Sequence, residues 1–435
     1  MKTTCATDVP FNDDRQSVAV PEATMHRRVI LATSLGNALE FFDFTVYSFF
    51  AALIGKLFFP VGGLHGPLLL SFATFGAGFV VRPIGGIVIG AYADRCGRKA
   101  AMMLTILMMT LGTAIIGLAP TYAQIGIAAP LLIVAGRLIQ GFSAGGEVGA
   151  STTFLMESAA PGMRGYLVSW QLASQGASAL AGALCGVLLT RSLSPAALES
   201  WGWRVPFLLG LLIGPVGLYI RNHLHETLHA APRAPGIPTG DVKYDVRRIV
   251  LGTLLMIGGT SSMYVMVFYL PSWLMNVAHL SGVAALLPSG VAGLILTFVS
   301  PVGGKLTDRL KRRKPMLYVT GVAGVLLLYP AFALMLRIPS LITILLSVTV
   351  IVGLRAVSNP TGFLLLLEGF PREIRGRSLG IVYSVGVTLF GGFAPFIVTW
   401  LLNVTQSPYA PVWYMAVCSL VSLAALPMFN EVVTD

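Results

Sequence analysis

Charge is what this sequence has least of: only 11% of its 435 residues are Asp, Glu, Lys or Arg, against about 25% in a soluble domain. So few charges cannot cover a water-soluble body of this length, and lipid must cover part of it. Cysteine is scarce too. Cys5, Cys96, Cys185 and Cys418 stand far apart with no CxxC or metal-ligand spacing, and they read as packing residues. None of the six histidines has a partner at ligand spacing; His223, His225 and His229 share one polar stretch that reads as a solvated loop. No metal site follows. There is no nucleophile–base set for a membrane enzyme, and no GxxxxGK[ST] loop through which ATP could drive a cycle. The polar, mildly acidic start (Asp8, Asp13, Asp14, Glu22) lacks the character of a cleaved signal peptide and reads as a cytoplasmic tail.

What remains is apolar: 55% of the chain is hydrophobic, with a mean hydropathy of +0.79. Its 48 glycines and 26 prolines lie among Leu, Ile, Val and Phe, as in membrane helices that approach closely and bend. A bilayer core takes about 20 apolar residues per helix. Such runs fall near 29–54, 67–92, 100–119, 127–156, 166–190 and 203–221, and again near 248–275, 284–306, 315–336, 340–367, 378–402 and 411–428. The expected organisation is a tail (1–28), a six-helix bundle (29–221), a linker (222–247), a second bundle (248–428) and a short tail (429–435). With both termini cytoplasmic, most basic residues fall inside, and only Lys56, Arg191, Arg204 and Arg337 lie outside. The net charge of +11 is therefore the positive-inside rule at work, and nucleic acid is excluded as a partner.

The halves repeat. Gly90-x-x-x-Asp94-Arg95-x-Gly97-Arg98-Lys99 follows the second run, and Gly304-x-x-x-Asp308-Arg309-x-Lys311-Arg312-Arg313 follows the eighth. Glu157, Pro161 and Arg164-Gly165 recur, at nearly the same spacing, as Glu368, Pro371 and Arg375-Gly376. The expected fold is an all-α membrane protein of twelve transmembrane helices in two homologous six-helix bundles around a central cavity.

The Asp-Arg-x-Gly-Arg-Lys loop and its copy resemble the signature of the major facilitator superfamily. Further blocks look like its metabolite–proton symporter group, and particularly the citrate–proton symporter branch. They are Gly36-Asn37 through Glu40-x-x-Asp43-Phe44, Arg82-Pro83-Ile84-Gly85, Gly136-Arg137-Leu138-x-Gln140-Gly141-Phe142, and Trp201-Gly202-Trp203-Arg204-Val205-Pro206-Phe207. The likeness covers the N-terminal half closely and the C-terminal half mainly in its loops. It implies a monomeric, proton-coupled importer of a small organic anion, citrate or a related tri- or dicarboxylate, in a bacterial inner membrane. The proton is the coupling ion, and no cofactor is expected.

An ionisable residue at bilayer depth costs a few kcal/mol or more and is a functional candidate by default. Glu40 and Asp43 share one face of the first helix, where desolvation and mutual repulsion favour a proton on one of them. The resemblance to sugar–proton symporters implies an ion pair between Asp43 and Arg137 that opens on protonation. Glu147, on Gln140's helix face, is a further candidate for the proton path or for an interhelical hydrogen bond. For the solute, Arg355 precedes Ser358, Asn359 and Pro360, and Pro360 is expected to interrupt its helix and expose backbone. Arg82 before Pro83 is the corresponding cation of the first half. Asn37, Gln140, Gln171, Gln175, Tyr264 and Tyr383 are candidate cavity liners. Asp94, Arg95, Arg98, Asp308, Arg309 and Arg312 read as a cytoplasmic latch, with carboxylates meeting helix N-termini or arginines. Glu157 with Arg164, and Glu368 with Arg375, belong to the same latch.

Three other readings stay open. An exporter or antiporter of a metabolite or drug would share the fold, but the fifth helix lacks the Gly-Pro pair usual in exporters. A symporter of a zwitterionic osmolyte or a shikimate-like acid would share the machinery. A solute sensor would need a longer cytoplasmic extension.

Overall fold

A computed structural model describes residues 22–431, apart from 64, 97, 146, 212–213, 216–245 and 372–373. Most of the expected linker and both distal tails therefore lie outside the described residues. Within them the chain is helical, with no strand.

In the N-terminal half, α1 is Glu22–Phe49, continued beyond Phe50 by Ala51–Phe58 at a bend of 66°. Gly66–Val80 and Arg82–Cys96 form α2, Arg98–Leu118 forms α3, and Ala128–Ala144 with Glu147–Glu157 forms α4. Then follow α5 (Arg164–Ser192) and α6, helical at 205–211 and 214–215. The C-terminal half holds α7 (Val246–Asn276), α8 (Gly282–Asp308), α9 (Lys314–Arg337), α10 (Leu341–Gly369), α11 (Arg375–Thr405) and α12 (Ala410–Met428). These are the twelve transmembrane helices of two homologous bundles.

Among the described residues, eight of these helices are long and apolar enough to span a membrane unaided, and α1 joins them if its bent pair counts as one span. Within α3 and α4 lie two shorter apolar helices, Met103–Leu118 and Ala128–Ala144.

Local chemistry marks the ends. Proline stands in the first turn at Pro67, Pro315 and Pro411, where its missing N–H has no intrahelical partner to lose. Ser340 caps α10 through the N–H of Thr343, and Gln406 closes α11 in the left-handed region at φ 51°. The interruption expected at Pro360 is not present. α10 runs unbroken from Leu341 to Gly369, since one lost backbone bond is tolerated where neighbouring helices enclose the chain. The irregular backbone lies instead in π-helical turns, Tyr264–Tyr269 of α7 and Thr388–Gly392 of α11, a feature frequent at functional sites.

Glycine sets the closest crossings. A Cβ on Gly141 of α4 would stand 1.5 Å from the carbonyl oxygen of Gly78 on α2. The two halves meet at both faces. On the face bearing the repeated loops, α5 crosses α8 where Gly165 meets Gly304. On the far face, aromatic rings of α2 meet those of α7, with Phe79–Tyr264 and Phe72–Tyr269 both 5.7 Å between centroids. Hydrogen bonds from Thr388 to the Phe79 carbonyl (2.8 Å) and from Ser48 to the Phe268 carbonyl (2.7 Å) also join the halves.

Candidate functional site

The α1 acids project from one face into a buried polar layer. Glu40 Oε1 accepts from Arg82 Nη2 at 2.5 Å, and both side chains are almost fully buried. The Arg82 guanidinium carbon lies 4.2 Å from the centre of the Phe79 ring and 5.0 Å from that of Phe44, so aromatic faces add to its stabilisation.

One helical turn on, Asp43 accepts from the Thr113 hydroxyl and from Gln140 Nε2 at 3.0 Å. Gln140 Oε1 in turn accepts from Arg137 Nη1 at 2.8 Å. Arg137 reaches only the backbone carbonyl of Asp43, at 3.5 Å, and lies 3.8 Å from the centre of the Tyr47 ring. The expected ion pair is thus corrected. Gln140, one turn beyond Arg137, inserts its amide between the two charges. Asp43 Oδ1 is left without a hydrogen-bond partner.

The C-terminal half is arranged differently. A cavity of about 110 Å³ lies among α7, α9, α10, α11 and α12, with only Leu172 and Gln175 of α5 reaching it from the N-terminal half. Five of the candidate solute residues line it: Gln175, Tyr264, Arg355, Asn359 and Tyr383. Arg355 donates to Ser419 Oγ at 2.7 Å, and no carboxylate lies within 4 Å of it among the described residues. Among the described residues, the lining includes no Asp or Glu. Tyr264 opens the π turn of α7. Tyr383 stands beside both Gln175 and Arg82, so the tyrosines join the cavity wall to the Glu40–Arg82 pair.

The other candidates are placed elsewhere. Asn37 and Gln171 hold each other: Asn37 Nδ2 donates to the Gln171 carbonyl (2.9 Å) and to Ser174 Oγ (2.6 Å), while Gln171 Nε2 donates to Asn37 Oδ1 (2.8 Å). They brace α1 against α5 and do not line the cavity. Arg82 and Gln140 belong to the buried layer described above. The side chains of Glu147, Asp94, Arg95 and Arg98 lie outside the described residues.

At the repeated-loop face, Asp308 accepts from the backbone N–H groups of Gly165 (2.6 Å) and Tyr166 (2.9 Å) in the first turn of α5. A carboxylate there satisfies donors that no helical carbonyl can reach, across the boundary between halves. Glu368 meets Arg313 at 3.4 Å and not Arg375, which opens α11. Arg309 and Arg312 are exposed and form no ion pair among the described residues. Arg313 takes their expected place because it sits at the N-cap of α9 and folds back under the end of α8, donating to the carbonyls of Thr307 and, just beyond the helix, Leu310. A signal for it existed, since Arg313 is the counterpart of Lys99 in the repeat. Glu157 and Arg164 are exposed at the same face. Thr113 and Ser419 carried no sequence signal, because their partners lie on helices remote in the chain.

Comparison with known proteins places this geometry. A family model, the Major Facilitator Superfamily, matches residues 33–395. A citrate-proton symporter of Klebsiella pneumoniae is 36% identical over 403 residues, covering 91% of this chain and 90% of the relative. A glycine betaine/proline/ectoine/pipecolic acid transporter of Dickeya dadantii is 32% identical, covering 91% and 82%. Among solved structures, a D-xylose-proton symporter superposes with a TM-score of 0.73 at 20% identity, covering 93% of this chain and 98% of that one. A partially occluded, inward-open form of the Escherichia coli xylose transporter superposes with a TM-score of 0.74 at 18% identity, covering 95% and 99%. The chain belongs to the Major Facilitator Superfamily and is a multi-pass membrane transporter, similar over nearly its whole length to citrate-proton symporters.

Proposed function

We propose that this transporter is a proton symporter importing a small organic anion, citrate or a related tri- or dicarboxylate, across a bacterial inner membrane. The observation that carries this reading is Arg355, a cation at membrane depth that lines the cavity and has a hydroxyl, not a carboxylate, beside it. A guanidinium in such a place is costly unless an anion completes it. The names of the similar citrate symporters support the same solute class and the proton as coupling ion.

The coupling acids are those of α1. Asp43 faces a hydroxyl and an amide, and one of its oxygens has no partner, so it has room for a proton. Access alternates as the Asp308 clasp on α5 and the aromatic contacts of α2 with α7 release in turn. Both termini are cytoplasmic in this reading. A zwitterionic osmolyte is the second reading, supported by the Dickeya relative. The cavity lining disfavours it, because no carboxylate is there to meet the solute's cation.

Uptake of labelled citrate into proteoliposomes, with and without an inward proton gradient, tests the proposal. Accumulation that a protonophore abolishes is the expected result. No uptake by folded protein under either condition overturns it, and a competition panel including betaine and proline then locates the solute. Asp43→Asn is expected to retain binding and to lose gradient-driven accumulation. Unchanged accumulation in that variant removes Asp43 from coupling.

A further inference from the structure

Arg82, buried, and Arg355, half-buried, are both cations near one cavity, yet they are in different states. Arg355 has no carboxylate beside it, whereas Arg82 is held by Glu40 at 2.5 Å through Nη2 alone. Its Nε and Nη1 have no hydrogen-bond partner, although the side chain is 1% exposed. Tyr383 stands against Arg82 on one side and lines the cavity on the other. The spare donors of Arg82 are therefore one side chain away from the solute.

We propose that Arg82 is a second carboxylate-binding group of the cavity, masked by Glu40 until Glu40 takes a proton. The exchange balances. A proton from the aqueous phase binds Glu40, the neutral carboxyl releases the guanidinium, and a second carboxylate of the solute takes its place on Arg82. The pair site gains one negative and one positive charge together, so a carboxylate enters without adding net charge at membrane depth. Arg355 holds the first carboxylate. A monocarboxylate gains nothing from Arg82, so the exchange selects for solutes with two carboxylates or more. Among the described residues, the ionisable groups facing Glu40 are Arg82 from α2, Tyr264 from α7 and Tyr383 from α11. Asp43 lies one turn away on α1, and Arg137 of α4 is engaged with Gln140 and Tyr47. The inference rests on the organic-anion reading and divides its chemistry: Glu40 links the proton to solute binding, and Asp43 links it to accumulation.

Citrate binding to the purified full-length protein, by calorimetry between pH 6 and pH 8, tests the exchange in wild type, Glu40→Gln and Asn37→Ala. Wild-type affinity is expected to fall by up to about tenfold per pH unit beyond that caused by citrate's own ionisation, as one linked proton requires. Citrate's ionisation is common to all three proteins and cancels in their ratio. Glu40→Gln should lose the extra dependence and bind more tightly than wild type at pH 8; Asn37→Ala, outside the cavity, should follow wild type. One profile shared by wild type and Glu40→Gln overturns the exchange. A measurement on wild type alone guards against a misfolded variant. In weak buffer, citrate binding should take up more protons per site than acetate binding beyond what citrate's own ionisation supplies, and equal excess uptake overturns the exchange. No binding of any polycarboxylate by wild type overturns the organic-anion reading itself. Binding with an unaltered profile in Glu40→Gln overturns only the exchange.

Discussion

The two halves of this transporter bury charge at membrane depth in opposite ways. In the N-terminal half, Glu40, Asp43, Arg82 and Arg137 are joined by hydrogen bonds, helped by Thr113, Gln140 and aromatic faces. In the C-terminal half, Arg355 faces a cavity and donates to the Ser419 hydroxyl, with no carboxylate beside it among the described residues. Helix packing differs in parallel, with Gly78 against Gly141 and Gly145 against the backbone of Arg82 drawing α2 and α4 together. In this state one half engages its charges within the protein, and the other leaves a charge for something that comes and goes.

The same truncation in each half gives the sharpest test. Arg137→Ala removes a cation from a buried hydrogen-bonded network and strands Gln140 and Asp43, so it should cost about 3–5 kcal/mol of stability. Arg355→Ala removes a half-buried cation that has no counter-ion among the described residues, so its thermal midpoint should be unchanged or raised, while citrate affinity falls on the order of 100-fold. Melting curves and calorimetry on both variants read the contrast. Wild-type citrate affinity in Arg355→Ala would remove that residue from the site, and equal destabilisation of both variants would erase the comparison. Next in size is Gly141→Ala, which places a methyl where the Gly78 carbonyl stands and should cost about 1–3 kcal/mol. A midpoint equal to wild type would show that the α2–α4 crossing relaxes freely.

Much of this was legible in the sequence, for a physical reason. Apolar runs, basic loops and the duplicated Asp94 and Asp308 motifs are local patterns, so the twelve helices and the clasp of Asp308 on a helix N-terminus follow from reading along the chain. Charges at membrane depth are rare enough to be conspicuous, which is why Arg355, Glu40 and Arg82 stood out. What could not be read is pairing across the bundle. Nothing local says that Gln140 separates Arg137 from Asp43, that Glu40 rather than Asp43 takes a guanidinium, or that Asn37 and Gln171 face each other. Pro360 misled because a proline's effect depends on the helices around it, and α10 is enclosed.

Asn37 tests that lesson with a smaller effect. Asn37→Ala deletes a donor and an acceptor from the buried α1–α5 brace and leaves the Gln171 amide unsatisfied, a loss of about 1–3 kcal/mol. Citrate affinity should stay within about twofold of wild type once the protein is folded, since the residue does not line the cavity. A weakened affinity with an unaltered melting midpoint would return Asn37 to the solute site.

The smallest expected effect probes the looser half. Gly353 lies on α10, two residues before Arg355, and a Cβ built there meets nothing within 4 Å. In a water-soluble helix, Gly→Ala at such a position gains about 0.5–1 kcal/mol from reduced freedom of the unfolded chain. In a membrane the helix persists when the bundle comes apart, so much of that gain is already present in the reference state. Gly353→Ala should therefore raise the thermal midpoint by only about 1 °C, with binding unchanged. A loss of several degrees would mean that α9 or α12 closes on α10 during the cycle, and that the open space beside Gly353 is needed for movement.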